Sequence, residues 1–348
     1  MSVIDRDQKV IQMAADLGLD WREAPTEAII EFCKQRIAEW LSGAPNVRTL
    51  DDLEALVCKR LRLVIEEFSS DDELDAVIAK YVAMGEYVFA SQRDELGPET
   101  FATLIRRENA TPTCPDQFVA IVDCRGDKAV RRFFTRWHEI AHVLTLVRGQ
   151  MTLPFHRSTA NRDPIEQLMD KIAAEVGFFD ALFAPVVRSA IESAGGLTFA
   201  VVEHLRGTEC RRASFHATLI AVATRAPIPA VTIEAGWGLK KGEQEMTRTP
   251  GLFPELKPQA MLRVLAAGGN ELARNSGLRI HQNMRVPESS VIARLFTDPV
   301  AANAGLTLRS VESLQAWTTS GGGAIGDADV TVEARRHGDR AIALITPA

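Results

Sequence analysis

The sequence predicts an α+β protein of more than one domain. Three observations carry that expectation. Long amphipathic helical runs fill the first half, short β-rich segments stand between turn residues, and the texture changes near residue 189, beyond which strand-like segments accumulate. A chain of 348 residues can bury two or three cores. Its 46% hydrophobic and 25% charged residues are those of an ordinary globular protein.

The elements follow in order. TEAIIEFCKQRIAEWL (26–41) spaces its apolar residues by three and four, which makes an amphipathic helix. LDDLEALVCKRL (50–61) repeats the pattern, with Asp51 and Asp52 in the first turn where the helix dipole favours acids. RLVIEEF (62–68) reads as a strand, and a mixed helical stretch continues to about Arg107. ENATPTCPDQ (108–117) is a loop, since two prolines break both periodicities. FVAIVDC (118–124) is a short strand. It is expected to form the edge against which an extended substrate would pair. Cys124 alternates with Phe118, Ala120 and Val122, which places it in a core.

KAVRRFFTRWHEIAHVLTLV (128–147) reads as one long helix without glycine or proline, and IEQLMDKIAAEVGFFDALF (165–183) as a second, ending at Pro185. Short helices are expected over 198–225, then a strand in RAPIPAVTIEAG (225–236). LRIHQNMRV, VTVEARR and AIALI are further strand candidates. The predicted layout is a helix-rich α+β domain over 1–188, a small helical connector over 189–226 and a C-terminal α/β module over 227–348.

Several classes are disfavoured. No apolar run approaches the roughly 18 residues that span a bilayer. The start, MSVIDRDQKV, mixes charge signs and lacks the apolar segment of a signal peptide, so no membrane partner and a cytoplasmic location are expected. Cys33, Cys58, Cys114, Cys124 and Cys210 are odd in number and form no CxxC pair, which argues for reduced thiols and against a cysteine-rich structural zinc site. A net charge of −6 gives no reason to expect nucleic acid over the whole surface. Arg206, Arg211, Arg212 and Arg225 stand among short helices, but in a chain of this charge they read better as a scaffold or partner-docking element than as a DNA reader. Gly321, Gly323 and Gly326 satisfy GxGxxG only literally, because no βαβ unit can follow them.

The chemistry concentrates in His138-Glu139-Ile140-Ala141-His142, an HExxH pattern inside a predicted helix. Residues i and i+4 share a helical face, so both imidazoles can hold one Zn²⁺ ion. Glu139 stands where it can take a proton from a water at the metal. Phe133, Phe134, Trp137, Val143 and Leu144 bury the helix, so its polar groups need a purpose. Catalytic zinc takes three protein ligands, and Glu166, at the start of the next helix, is the choice for the third. His156, in the intervening loop, is its rival. Asp170 is placed either to orient a ligating imidazole or as a solvated charge on the helix face.

Cys114 lies in the stiff loop Thr-Pro-Thr-Cys-Pro-Asp just before strand 118–124. A thiolate there could fill the fourth zinc position in a resting state, as in zinc peptidases held latent by a cysteine switch, which this local motif resembles. A loop thiol without metal contact is the alternative.

RRFFTRWHEIAHVLTL followed by EQLMDKIAAEVGFF resembles the IrrE/ImmA family of bacterial zinc peptidases, and most of all its CBASS-associated members. The resemblance covers about residues 55–190 and continues more weakly beyond. In that family the second helix begins with the ligating glutamate and runs through a small-residue patch. Glu166 matches the ligand and Ile172-Ala173-Ala174-Glu175 the patch, while Gly177-Phe178-Phe179 departs from the usual Leu-Leu-Met-Pro. The resemblance implies a zincin-like metallopeptidase domain, a helix-turn-helix-like connector and a C-terminal GAF-like sensor domain. It also implies an endopeptidase that cleaves a small helix-turn-helix repressor to release stress or anti-phage defense genes, with single-stranded nucleic acid as a candidate activator. Arg279, Arg285, Arg335, Arg336 and Arg340 are the basic residues that would receive that activator. The alternatives are a zinc-binding transcriptional regulator that acts by binding alone, against which the intact Glu139 weighs, and a zinc hydrolase of a small substrate.

Overall fold

The computed structural model describes residues 4–20, 22, 24–109, 116–146, 155–158, 163–240, 243, 258–301, 305–318 and 323–348, with the backbone alone at 155–158. The chain is a mixed α+β protein with two sheets. It divides into two compact units, one of Met1–Pro185 with Arg206–Ser214, the other of Val186–Leu205 with Phe215–Ala348. Residues 189–205 and 215–226, assigned by sequence to a connector, belong to the second unit, and 206–214 to the first. No helix among the described residues is long and apolar enough to cross a membrane.

The first unit opens with α1 (Gln8–Asp16), α2 (Pro25–Ser42) and α3 (Leu50–Leu61). Proline at the first turn of α2 loses no hydrogen bond, because that N–H has no helical partner. At α3, Thr49 accepts from the Asp52 backbone while Asp52 accepts from that of Thr49, a closed capping box. β1 (Leu63–Phe68), α4 (Asp71–Ala83), the short α5 (Gln92–Glu95), β2 (Thr100–Arg106) and β3 (Phe118–Asp123) follow. Then come α6 (Arg132–Leu144), β4 (Phe155–Ser158) and α7 (Pro164–Gly177).

The four strands run in the order β1-β3-β2-β4. β3 is parallel to β1 and antiparallel to β2, so its backbone is hydrogen-bonded on both sides. The expectation that 118–124 forms a sheet edge is therefore wrong. β1 and β4 are the edges. The apolar run of β3 is that of a strand covered on both faces, and five of its six residues are buried. Val119 and Ile121 join Phe68, Tyr81, Phe89 and Ile105 in one cluster, while Val122, Ala102 and Cys124 form another. Cys124 is buried, as its alternation predicts.

The helix expected from residue 128 starts at Arg132, after a 3-10 turn over Gly126–Arg131. The fully buried Asp123 carboxylate explains the tight turn. It accepts from Arg125 Nε at 2.9 Å and Nη2 at 2.8 Å, and from Lys128 Nζ at 2.7 Å. Lys128 also donates to the carbonyls of Gly97 and Thr100, so residues 126–131 cannot relax into the following helix. Burial alone would raise the Asp123 carboxyl, but Arg125 and Lys128 outweigh it and hold it below its ordinary value. A carboxyl depressed in the folded state stabilises fully above its unfolded pKa of about 4 and loses that stabilisation as pH falls through its folded value. Asp123→Asn is thus expected to cost about 3 kcal/mol at neutral pH, where it breaks a buried pair. In denaturation curves the gap to wild type should narrow as pH drops from about 5 to 2. A gap independent of pH would rule out the ionised pair as its origin.

The helix expected over 165–183 is broken. α7 ends at Gly177, and α8 (Asp180–Ala194) begins three residues later with Pro185 inside it. Phe178, Phe179 and Phe183 are all buried. Phe178 lies 4.9 Å from Phe133 and 5.2 Å from Phe183, ring centre to centre, so the burial of three aromatics bends the chain where helical periodicity alone would continue.

The second unit contains α9 (Phe199–Thr208, through Leu205), α10 (Phe215–Arg225) and β5 (Val231–Gly238), β6 (Met261–Gly269), β7 (Thr307–Ser313), β8 (Asp329–His337) and β9 (Arg340–Pro347). All neighbours in its sheet, ordered β6-β5-β9-β8-β7, are antiparallel. Its core gathers Ile233, Val264, Leu295, Trp317, Val332 and Ile345. The segment 278–286 forms only an isolated bridge at Arg285 and no strand. Its alternation is satisfied by burying Leu278, Ile280, Met284 and Val286, while Asn283 turns the chain at φ 70°.

Candidate metal centre

α6 carries the HExxH residues into the interior of the first unit, and from Trp137 to Leu144 every residue is buried. Its last carbonyls are satisfied locally. Thr145 Oγ1 donates to the carbonyl of Ala141 at 3.0 Å, and Arg36 Nη1 to that of Leu144 at 3.0 Å. α7 is anchored at its start by Asp163, whose side chain accepts from the Ile165 N–H at 2.9 Å and also receives Lys9 of α1. Glu166 therefore sits in a fixed first turn. The far end of α7 comes close to α6 because Gly177 has no side chain. A Cβ there would lie 3.0 Å from Trp137 Cδ1 and 3.4 Å from Phe133 Cε1. Glycine at this position thus has a packing reason, a close approach of two helices.

These two helices bring together His138, His142 and Glu166, whose ligand atoms all lie within 4.8 Å of one another. His138 Nε2 is 3.2 Å from His142 Nε2 and 3.0 Å from Glu166 Oε2, and His142 Nε2 is 3.4 Å from Glu166 Oε1. Asp170 stands one turn beyond Glu166, with Oδ1 2.8 Å from His138 Nδ1, although its side chain is 48% exposed. When a metal is bound, donation of the Nδ1 proton to Asp170 would leave the His138 Nε2 lone pair for the ion. Burial alone would raise the Glu166 carboxyl, but His138 and His142 outweigh it and hold it well below the ordinary carboxylate range.

Three electron-rich atoms converging this closely repel one another unless a cation lies between them. Ligands about 2.0–2.1 Å from a tetrahedral ion sit about 3.3 Å apart; the two imidazole Nε2 atoms are 3.2 Å apart, and each lies 3.0–3.4 Å from a different oxygen of Glu166. Two imidazoles and a carboxylate are also the donors of a catalytic zinc site with one open position. The residues fit zinc.

Glu139 follows His138 and is itself buried, at 1% exposed. Cys114 lies outside the described residues, and so do the side chain of His156 and Gly321. Glu175 is 3.8 Å from Lys34 Nζ on the flank of α7. Among the other histidines, His216 Nε2 lies 3.2 Å from Glu234 Oε1 in the second unit.

The basic residues weighed for nucleic acid are largely occupied. Arg335 contacts Glu203 at 3.1 Å and lies 3.8 Å over the Phe215 ring, and Arg340 pairs with Glu234 at 2.7 Å. Arg336 donates to the carbonyl of Leu295 at 3.0 Å and Arg279 to that of Arg274 at 3.3 Å, whereas Arg285 is exposed. Arg212 pairs with Asp51 and Glu54. The last contact belongs to a charge cluster with Arg136 and Glu67 that no sequence signal marks, because its members stand up to 158 positions apart.

The class that fold and site define is an α+β protein with two buried histidines and a partly buried glutamate able to hold a metal ion. No family model matches the chain, and comparison with curated proteins finds no match.

Proposed function

We propose that the protein is a zinc-dependent endopeptidase that cleaves a partner helix-turn-helix repressor, with a zincin-like catalytic unit and a GAF-like sensor unit. The observation that carries the reading is the convergence of His138, His142 and Glu166 beside the buried Glu139. Bound zinc would polarise the scissile carbonyl and make a water acidic enough to attack at neutral pH. His138, His142 and Glu166 would hold the ion, and Asp170 keeps the His138 ring in the tautomer that points Nε2 inward. The Glu139 carboxylate takes the proton of the attacking water and returns it to the leaving amine, so one residue serves as base and then acid. β4, an edge of the sheet among the described residues, would pair with an extended substrate by strand addition, the role the sequence assigned to 118–124.

The test combines metal analysis with a cleavage assay. The purified chain should carry about one zinc. Incubated with a small helix-turn-helix repressor, sought first among the neighbouring genes, and with single-stranded DNA as activator, it should cut that repressor at one site, seen by mass spectrometry. Chelation should stop the reaction. A repressor left intact by zinc-loaded protein, or cleavage that survives chelation, would refute the reading.

A further inference from the structure

The side of α6 turned away from the histidines is also tied down by charge. Arg136 precedes His138 by two residues, about 200° around the helix. Its guanidinium grips Glu54 of α3, with Nε donating to Oε1 at 3.1 Å and to Oε2 at 3.2 Å and Nη2 also donating to Oε1, while Nη1 donates to Glu67 of β1 at 2.8 Å. The Glu54 side chain is only 6% exposed. A second guanidinium reaches the same carboxylate. Arg212 Nη1 donates to Glu54 Oε1 at 3.1 Å, and its Nη2 to Asp51 Oδ1 at 3.0 Å.

Arg212 arrives by an unusual route. Its segment, Arg206–Ser214, belongs to the first unit, whereas the chain on both sides, Val186–Leu205 and Phe215–Ala348, belongs to the second. The segment is ordered by its own contacts. Arg211 Nε donates to the Gly207 carbonyl at 2.8 Å, the Ala213 N–H to the Cys210 carbonyl at 2.8 Å, and Cys210 and Ala213 are both buried. Since α9 ends at Thr208 and α10 begins at Phe215, the link has little slack.

We infer that Arg212 is a positioning residue for the metal helix, acting through the Glu54 carboxylate that it shares with Arg136. The zinc half of this inference rests on the metal reading above. A buried carboxylate shared between two guanidiniums holds both in register. When Arg212 withdraws, Glu54 keeps Arg136 alone, water reaches the vacated side, and α6 loses one of the anchors that fix its rotation.

The test uses the full chain, with hydrogen exchange along residues 132–144 and zinc affinity by chelator competition as separate readouts. Arg212→Ala should speed exchange in α6 while leaving the C-terminal sheet unchanged. It should also weaken zinc binding by about tenfold, the lower end of the effect of residues that orient metal ligands. Arg212→Lys, which keeps the charge but not the fork, should restore part of both. In a Glu54→Gln background, Arg212→Ala should add little, because both act through one carboxylate. Additive losses, unchanged exchange in α6, or a uniform rise of exchange throughout the chain would overturn the inference. Should Glu54→Gln fail to fold, the comparison of Arg212→Lys with Arg212→Ala decides, and equal losses reject the forked contact. If wild-type protein binds no zinc, the metal reading fails, yet the exchange of α6 still tests Arg212.

Discussion

Glu139→Gln should leave zinc content near that of the wild type and lower the rate of peptide hydrolysis by about 10²–10⁴-fold. Glu139 is not among the three converging donors, so its loss removes no ligand. Glutamine keeps the shape of the side chain and can still accept a hydrogen bond, but it cannot carry a proton from water to amine. Glutamine is nearly isosteric with the buried Glu139, and thermal melts of the two proteins check that the fold is kept. Metal content by elemental analysis and single-turnover cleavage of the repressor are the two measurements. Wild-type cleavage by Glu139→Gln would dismiss the general-base mechanism.

The second large effect is expected at the ligands. His142→Ala should lose both metal and cleavage, since two donors cannot hold zinc against buffer and chelator. Glu166→Ala should behave alike, because Glu166 lies 3.0 Å from His138 Nε2 and 3.4 Å from His142 Nε2. In metal-free protein the loss also costs stability, because His138 and His142 favour the Glu166 carboxylate in the folded state, and in zinc-loaded protein the stabilisation by the bound ion vanishes as well. Melting curves with and without chelator should therefore separate widely for wild type and coincide for Glu166→Ala. Full zinc retention by Glu166→Ala would transfer the third position to another ligand, and His156→Ala would then be the variant to measure.

The parts of the site within reach of helical periodicity could be read directly. His138 and His142 lie four residues apart, which places them on one face wherever that segment is helical, and the apolar neighbours from Phe133 to Leu144 make the helix buried as well. Glu166 and Asp170 are likewise one turn apart, and that spacing is what aligns one with Nε2 of His138 and the other with its Nδ1. Breaks in periodicity were harder to see. The bend after Gly177 arises from the burial of Phe178, Phe179 and Phe183, and the 3-10 turn before α6 from Lys128 reaching three acceptors. Both are contacts with residues distant in sequence.

The sequence by itself therefore determined the mixed α+β class and the helix that bears HExxH, because both rest on interactions within a few residues, whereas Glu166 reaches the histidines only through the packing of α6 against α7. Strand order belonged to the tertiary structure. An apolar run such as 118–124 suits a central strand or a buried edge equally, and only pairing with both β1 and β2 made β3 internal. The same holds for Glu54, Arg136 and Arg212. Arg212 reads only as part of a scaffold or partner-docking element and the other two carry no sequence signal, because a buried carboxylate finds its counter-ions wherever the folded chain brings them.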